Sequence, residues 1–145
     1  MAPTLRPGEI VLADRYSRGR QPQVGDVVLA RAPGTGLAII KRIVAGPGHE
    51  VVGHPSGCWV NGQWRGNGIE PPSGPPVDSH HCGPGQFFLM GDDPSHSTDS
   101  RSFGPLDASA IEARLWLVAW PPARLRPLGS GGDQRPRSHQ RTGQV

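Results

Sequence analysis

The sequence predicts an all-β domain built from short antiparallel strands, and three observations lead to that prediction. Glycine and proline are abundant, with 21 and 17 of the 145 residues, and both favour turns over long helices. Charged residues make up only 19% of the chain and aromatic residues 6%, which does not indicate long amphipathic helices. Short apolar runs recur between the turn signals, and each has the length of a strand.

Five of these runs are predicted to form the main sheet. The first, "EIVLA", follows Pro3, Pro7 and Gly8, which restrict the backbone and permit a turn. The last, "IEARLWLVAWPP", alternates well enough for a returning strand, and its Trp116 and Trp120 are expected in the core or facing a membrane. We predict strands near residues 9–14, 26–31, 37–45, 86–91 and 112–120.

The main domain is predicted to be discontinuous, with residues 1–50 and 86–122 on either side of an insertion at 51–85. Within the insertion, "CWVNGQW" predicts a hairpin, because Asn-Gly is a strong type I′ turn signal. The stretch "GNGIEPPSGPPVDSHHCGPG" is predicted to be a loop without regular structure. Residues 123–145 are predicted to be a disordered basic tail, because they lack apolar periodicity.

Charge and hydropathy exclude some classes of function. The formal net charge is +3 and the pI is near 9.5, but the predicted tail supplies much of the excess positive charge. No aromatic residues are interleaved with its arginines, so nucleic-acid binding is not predicted. No run of 18 apolar residues occurs in the sequence, so no membrane-spanning helix is predicted within it.

The two cysteines, Cys58 and Cys82, leave two readings open. They are disulfide candidates if the chain lies outside the cytosol, and otherwise two ordinary thiols. Together with His54, His80 and His81, the two cysteines could also be the ligands of a zinc site. The spacing fits no standard zinc motif, and we predict no metal and no cofactor.

Lys41 is the most informative single residue. Of the 15 basic residues it is the only lysine, and it follows the apolar run "GLAII". Arginine stays protonated in proteins, whereas a desolvated lysine can lose its proton near neutral pH and act as a general base. The alternative is an exposed strand lysine, since both faces of the predicted strand carry apolar and basic residues.

A second cluster lies after the apolar run Phe87 to Met90. This polar loop (residues 92–101) holds Asp92, Asp93, Ser95, His96, Ser97, Thr98, Asp99, Ser100 and Arg101. Asp99 and Arg101 are close enough to form an ion pair, and a serine hydroxyl could hydrogen-bond an amine. The alternative is a self-capping turn. A Ser-His-Asp triad is disfavoured, because three neighbours in sequence rarely converge in space.

Together, "PTL", "IIKRIVAGPGHEV", "VNGQ" and "FFLMGDDPSHSTDSRSFGPL" resemble the type I signal peptidase family over residues 1 to about 121. That family comprises membrane-anchored serine endopeptidases with a Ser/Lys dyad on an all-β scaffold. The sequence also resembles a conjugative-transfer peptidase subgroup of this family. The implied substrates are preproteins with signal peptides, and the implied location is the cell membrane, with the catalytic domain on its extracytoplasmic side.

The resemblance also implies a role for individual residues. Lys41 would be the general base and Ser97 the hydroxyl that orients it. Asp99 and Arg101 would brace the polar loop, and Asp92 would pair with Arg42. Leu5, Ile39 and Ile40 would line the groove that receives the substrate as an added strand. The third position of the family's "GDN" pattern is Asp93 in this chain.

The nucleophile is the main departure from the family pattern. The family's opening motif is "S-M-x-P-T-L", in which the serine before the methionine attacks the substrate, and this sequence starts at "MAPTL". We expect the serine immediately before Met1 in a longer native protein that also carries a membrane anchor. The alternatives are an inactive β-domain that binds extended peptides, or a nucleophile supplied by another chain or another serine. A cytosolic self-cleaving repressor-type protease would share the dyad, but the DNA-binding domain it requires is not visible.

Overall fold

The computed structural model describes residues 1–16, 19–66, 68, 71 and 73–129. Strands and one short helix follow in the order β1 (Ile10–Arg15), β2 (Val27–Arg31), β3 (Ala38–Ala45), β4 (Glu50–His54), β5 (Gly57–Val60), β6 (Gln63–Gly66), β7 (Ser79–His81), β8 (Gln86–Met90), α1 (Ser100–Phe103), β9 (Leu106–Asp107), β10 (Ile111–Trp120) and β11 (Arg126–Pro127). The prediction of an all-β fold is confirmed, and each of the five predicted strands is present within about one residue of its predicted ends.

The main sheet contains seven strands in the order β1-β10-β2-β3-β8-β9, with β11 paired to β10. All of its neighbouring strands are antiparallel. The long strand β10 holds the sheet together, because β1 runs along one of its edges while β2 and β11 share the other. This arrangement brings the two ends of the described chain to the same side of the sheet.

Strand β3 has one edge that is only partly used. Its residues Ala38 to Arg42 pair with β2, whereas on the other edge β8 pairs only with Arg42, Ile43 and Ala45. The backbone of Ala38 to Lys41 therefore has a strand edge that β8 does not cover. An edge of this kind can accept an additional extended peptide by backbone hydrogen bonding.

The inserted region forms a second, four-stranded sheet in the order β6-β5-β4-β7. The predicted hairpin is present as β5 and β6, and both turn residues have positive φ, 47° at Asn61 and 79° at Gly62, as a type I′ turn requires. Strand β7 lies in the stretch predicted to lack regular structure. Its sequence, Ser-His-His, has no apolar alternation, and pairing to β4 is what makes it a strand.

Three clusters of buried residues form the core. The first lies between the main sheet and α1 and includes Val28, Ile43 and Leu89. The second joins the main sheet to the second sheet through Phe88 and Val51, both fully buried. Burial of a side chain the size of Phe88 contributes about 1.5–3 kcal/mol to the free energy of folding. The second sheet is therefore fixed against the main sheet through a shared apolar core.

The third cluster corrects the prediction of a disordered tail from residue 123. Leu128 is only 5% exposed and packs in this cluster with Leu115, Val118 and the N-terminal residues Met1 and Leu5. The basic residues before it are paired to Glu9, an interaction across the fold that composition does not reveal. Ordered structure thus continues to residue 129, and the rest of the predicted tail, residues 130–145, lies outside the described residues.

The tryptophans at the end of β10 are surface residues. Trp116 is 37% exposed and Trp120 is 53% exposed, and Ile10, which pairs with Trp120 across β1 and β10, is 57% exposed. Of the two expectations for these tryptophans, the core position is wrong. Ile10 and Trp120 thus form an exposed apolar pair where β1 meets the end of β10.

Candidate active site

Lys41 projects from β3, beside the strand edge that β8 leaves uncovered. Its Nζ lies 2.7 Å from the Oγ of Ser97, and this contact joins residues 56 positions apart in the chain. Lys41 is half-buried, and burial lowers the pKa of its amine below the usual 10.5. The negative charge of Asp99 opposes this shift of the pKa, and the positive charge of Arg101 adds to it.

Because its pKa is lowered, Lys41 reaches the neutral form at a lower pH than an exposed lysine does. A neutral amine has a lone pair that can accept a proton, whereas an ammonium group can only donate. The hydroxyl of Ser97, at 2.7 Å, fixes the orientation of the amine. The alternative in which Lys41 is an exposed strand lysine is therefore wrong.

The polar loop is braced by a buried ion pair. Asp99 is fully buried and accepts hydrogen bonds from the Nε of Arg101 at 2.8 Å and from its Nη2 at 2.9 Å. It also caps α1 through the backbone N–H of Arg101, and it accepts the backbone N–H of Gly91 at 3.1 Å. Burial alone would raise the pKa of the Asp99 carboxyl. The hydrogen bonds from Arg101 and Gly91, with the charge of Arg101, outweigh burial and lower that pKa below 3.8.

Arg101 also links the polar loop to the second sheet. Its guanidinium donates to the backbone carbonyls of His54 at 3.0 Å and Pro55 at 2.8 Å, which lie in the turn between β4 and β5. It donates further to the carbonyls of Pro94 at 2.6 Å and Ser97 at 3.3 Å. The backbone that carries Ser97 is therefore held by one side chain that also bonds the second sheet.

A second ion pair lies on the opposite face of β3. Arg42 binds both carboxylate oxygens of Asp92, at 2.8 and 2.9 Å, and donates to the carbonyl of Gly25 at 3.0 Å. The hydroxyl of Thr4 donates to the same carboxylate. The N-terminal residues are thereby tied to the start of the polar loop, next to the strand that carries Lys41.

The three groove residues implied by the resemblance do not form one surface. Leu5 and Ile40 pack in the same cluster, together with Met1. Ile39 packs against the first core cluster instead, on the face of β3 that also carries Lys41. Leu5 and Ile40 can therefore form one apolar wall, whereas Ile39 lies on the other side of the strand.

Of the two readings left open for the cysteines, the structure shows free thiols, since Cys58 and Cys82 are both unpaired and buried. Cys58 lies opposite Gly53 on one edge of β4, and the N–H of Cys82 bonds the carbonyl of His49 on the other edge. These two partners are four residues apart, which is about 13 Å along a strand, whereas a disulfide requires Cα atoms within about 7 Å. Burial raises the pKa of the Cys58 thiol to about 12, which disfavours its thiolate.

No metal centre emerges from the histidines and cysteines of the second sheet. Across the part of the chain that the structure describes, no three or more His, Cys, Asp or Glu side chains are grouped so that they could hold a metal ion. His54 instead packs edge-on against the rings of Trp59 and Trp64. His80 packs against Phe88 at a ring distance of 5.4 Å.

Three residues of the site were not assigned a role from the sequence. Ser100 is fully buried, and its hydroxyl accepts the backbone N–H of Leu89 at 3.0 Å, which fixes the polar loop to β8. Thr4 bonds Asp92, and Gly91 makes the close approach described next. All three lie within the motifs that carry the family resemblance, which is the signal that could have identified them.

Because Gly91 has no side chain, there is space beside it for the contact between Lys41 and Ser97. A Cβ at this position would lie 2.7 Å from the Cβ of Ser97, closer still to its Oγ, and 3.5 Å from the Nζ of Lys41. The φ of Gly91 is outside the left-handed region. Close approach, and not backbone conformation, is therefore the reason for glycine here.

We expect Gly91→Ala to displace Ser97 and lower the turnover of the native protein by roughly 10²-fold, as a shift of about 1 Å at a reacting group can do. The added methyl group should also cost about 1–3 kcal/mol of stability. An assay of the activity that the family resemblance implies, together with thermal unfolding, would measure the two effects. Gly129→Ala is the matched control, because nothing lies within 4 Å of a Cβ there. Equal activity in the two variants would contradict the expectation.

Comparison with known proteins identifies the family. The sequence model of the family described as signal peptidase, peptidase S26, matches residues 1–120. The chain is 33% identical over 132 residues to the mitochondrial ATP-independent inner membrane protease subunit 1b of Arabidopsis thaliana, covering 89% of this chain and 70% of that protein. It is 30% identical over 141 residues to a probable signal peptidase I-1 of Synechocystis, covering 90% and 71% of the two chains.

The fold agrees with these relatives. The crystal structure of a signal peptidase I from Enterococcus faecalis superposes with a TM-score of 0.52 at 21% identity, covering 66% of this chain and 97% of that chain. The class is thus a β-sheet peptidase. Within that class, the chain belongs to the signal peptidase family, peptidase S26.

Some relatives are considerably longer. The thylakoidal processing peptidase 1 of Arabidopsis thaliana is 32% identical over 139 residues, and the match covers 86% of this chain but 41% of that protein. Among the residues described for this chain, no helix has both the length and the apolar character needed to cross a membrane.

Proposed function

We propose that this chain contains the catalytic domain of a membrane-associated serine endopeptidase that cleaves signal peptides from exported preproteins. The observation on which the proposal rests is the 2.7 Å contact between the Nζ of Lys41 and the Oγ of Ser97, in a site that lowers the pKa of the lysine. In this proposal Lys41 is the general base and Ser97 orients it. The ion pairs Asp99–Arg101 and Asp92–Arg42 hold the elements that carry them.

The nucleophile we propose is a serine immediately before Met1 in the native protein. Two contacts support this position. Thr4 bonds Asp92, which pairs with Arg42 directly after Lys41, and Met1 packs in the same cluster as Ile40, directly before Lys41. A residue attached to Met1 would therefore extend from a point beside the strand that carries the base.

The proposed reaction is acyl transfer through an ester intermediate. The serine Oγ attacks the scissile carbonyl as its proton passes to the neutral amine of Lys41. The C–N bond then breaks, and the proton is delivered to the leaving amine. Water then attacks the ester carbonyl as it gives a proton to Lys41. The C–O bond to the serine breaks as that proton passes to the serine Oγ, which restores the serine hydroxyl and the neutral amine.

The substrate would bind as an added strand. The edge of Ala38 to Lys41 that β8 leaves unpaired supports this mode, since it offers backbone hydrogen-bonding groups next to the base. The apolar wall of Leu5 and Ile40 would contact small substrate side chains. The exposed apolar residues Ile10 and Trp120 support location of this domain at a bilayer surface.

The test uses the native protein isolated from the membrane fraction and a preprotein whose signal peptide ends in small residues. Mass spectrometry would read the native N-terminus, and gel analysis would follow cleavage. We expect a serine before Met1 and loss of cleavage when that serine is changed to alanine. A native chain that begins at Met1 and binds the peptide without cleaving it would favour the alternative of a peptide-binding domain.

A further inference from the structure

The segment Pro122–Leu128, termed here the C-terminal clasp, lies against the N-terminal segment, residues 1–9. It begins with a 3₁₀ turn at Pro122–Arg124 and continues as β11, which pairs with Leu117 and Val118 of β10. Its last residue is anchored twice, because the Leu128 side chain is buried and its N–H donates to the carbonyl of Trp116 at 2.8 Å. The clasp is thus part of the fold and can hold another segment in place.

Arg126 makes the direct contact between the two segments. Its Nη2 donates to the backbone carbonyl of Thr4, and its Nη1 donates to Glu9 at 3.4 Å and to the carbonyl of Arg124 at 3.2 Å. The planar guanidinium can serve acceptors in several directions at once, which a lysine ammonium does less well. One side chain therefore bonds the backbone of Thr4, the side chain of Glu9 and the backbone of the clasp.

Glu9 completes the link. Its side chain is 3% exposed and pairs with the Nη1 of Arg124 at 3.0 Å, while its other oxygen accepts the N–H of Arg6 at 2.8 Å. Buried carboxylates require partners of this kind. The N-terminal segment consequently has a fixed conformation at the point where it enters β1.

The same segment is held from the opposite direction by the active site. The hydroxyl of Thr4 donates to Asp92, whose carboxylate is bound by Arg42. Thr4 therefore lies between two arginines. Its hydroxyl bonds Asp92, which is bound by Arg42, and its carbonyl accepts a hydrogen bond from Arg126. The N–H of Leu5 donates to the carbonyl of Met1 at 3.0 Å. The contacts that fix Thr4 therefore also restrict the position of Met1.

We propose that Arg126 is a positioning residue for the peptidase reaction, holding the N-terminal segment so that the nucleophile it carries faces Lys41. This inference rests on the proposed function, in which that nucleophile directly precedes Met1. Catalysis depends steeply on such placement, because a shift of about 1 Å can lower a rate roughly 10²-fold. Arg126, in the clasp, thus has a proposed role in catalysis that the sequence alone did not indicate.

The test compares Arg126→Gln with Arg31→Gln in the native protein. Arg31 is a matched control, since it also bonds a carboxylate, Glu112, and a backbone carbonyl, Gly36, away from the N-terminal segment. We expect Arg126→Gln to lower kcat by about 10-fold or more and to change KM less than kcat, because Arg126 bonds Thr4 and Glu9 and not the groove residue Leu5. Arg31→Gln is expected to change neither constant.

Hydrogen exchange gives a readout that does not depend on activity. In Arg126→Gln we expect faster exchange at the backbone amides of residues 2–9 and unchanged exchange in β2, β3 and β8. Exchange in residues 2–9 equal to that of Arg31→Gln, or a loss of activity seen entirely in KM, would overturn the proposal. If exchange responds as expected but neither the wild type nor any variant cleaves a preprotein, the proposed function is wrong. The structural link between the clasp and the N-terminal segment would still stand.

Arg126→Lys covers the case in which the glutamine variant does not fold. Lysine keeps the charge next to Glu9 and can donate to one acceptor, so that we expect kcat between those of the wild type and the glutamine variant. Wild-type kcat and exchange in Arg126→Lys would show that charge alone suffices, and the hydrogen bond to Thr4 would then have no positioning role.

Discussion

Lys41→Met should lower the turnover of the native peptidase by about 10²–10⁴-fold, the usual contribution of a general base. Methionine has a similar length and keeps the apolar contacts of the lysine stem, but it cannot accept a proton. KM should change little, because the Nζ of Lys41 contacts Ser97 and not a groove residue. Steady-state cleavage of a preprotein would measure both constants.

Lys41→Arg separates the base from the charge at this position. Arginine keeps a positive charge but stays protonated throughout the accessible pH range, so activity should again be lost. Arg65→Met, in the exposed part of β6, is the control for loss of a positive charge. Cleavage retained by Lys41→Arg would remove the lysine from the mechanism.

The pH dependence follows from the direction of the pKa shift. Because burial lowers the pKa of Lys41 below 10.5, the neutral amine becomes available at lower pH than for an exposed lysine, and kcat should rise with pH up to that pKa. Any residual activity of Lys41→Met should lack this rise. Stability also changes with pH, since between the folded pKa and 10.5 the unfolded chain binds more protons, and the free energy of unfolding therefore increases with pH.

The elements predicted correctly are those whose signals are local. The five strands of the main sheet have apolar runs bounded by turn residues, and the Asn61–Gly62 turn is specified by two adjacent residues. Strand β7 was missed, because three polar residues become a strand only through pairing with β4. Strand register also explains why the disulfide candidates Cys58 and Cys82 are not paired, since their partners lie on opposite edges of β4 and at different positions along it.

The features of the site also divide into those with a signal in the sequence and those that only the fold creates. The motifs singled out Lys41 and Ser97, and the structure brings their side chains together across 56 positions of sequence. The space left by Gly91 was not visible in the sequence, because close approach depends on two segments that meet only in the fold. The ordered clasp was missed for a related reason, as composition describes Arg124 and Arg126 as solvated charges and gives no sign of their pairing with Glu9.

The largest effect on stability is expected from Asp99→Asn. The carboxylate is fully buried and accepts four hydrogen bonds, from the N–H groups of Gly91 and Arg101 and from the guanidinium of Arg101. An amide offers one acceptor oxygen and turns an NH₂ group toward these donors, which leaves the charge of Arg101 without its anionic partner at a position where the side chain is 11% exposed. Breaking a buried pair in this way costs about 3–5 kcal/mol. Thermal unfolding should show a decrease in Tm of roughly 10–20 °C.

Asp14→Asn is the matched control, because Asp14 is exposed on β1 and the same change there should leave Tm within about 1–2 °C. A decrease in Tm no larger than that of Asp14→Asn would mean that the pair does not brace the polar loop. Activity should fall with stability, since Arg101 also holds the carbonyl of Ser97.

Acid titration provides an independent measurement of the same pair. The folded pKa of Asp99 lies below 3.8, because the hydrogen bonds and charge of Arg101 outweigh the effect of burial. A depressed carboxyl pKa stabilises the folded state fully above the unfolded pKa, and the stabilisation is lost as the pH falls through the folded pKa. The difference in unfolding free energy between wild type and Asp99→Asn should therefore be constant near neutral pH and shrink below 3.8. A difference that does not depend on pH would assign the loss to packing and not to the charge of Asp99.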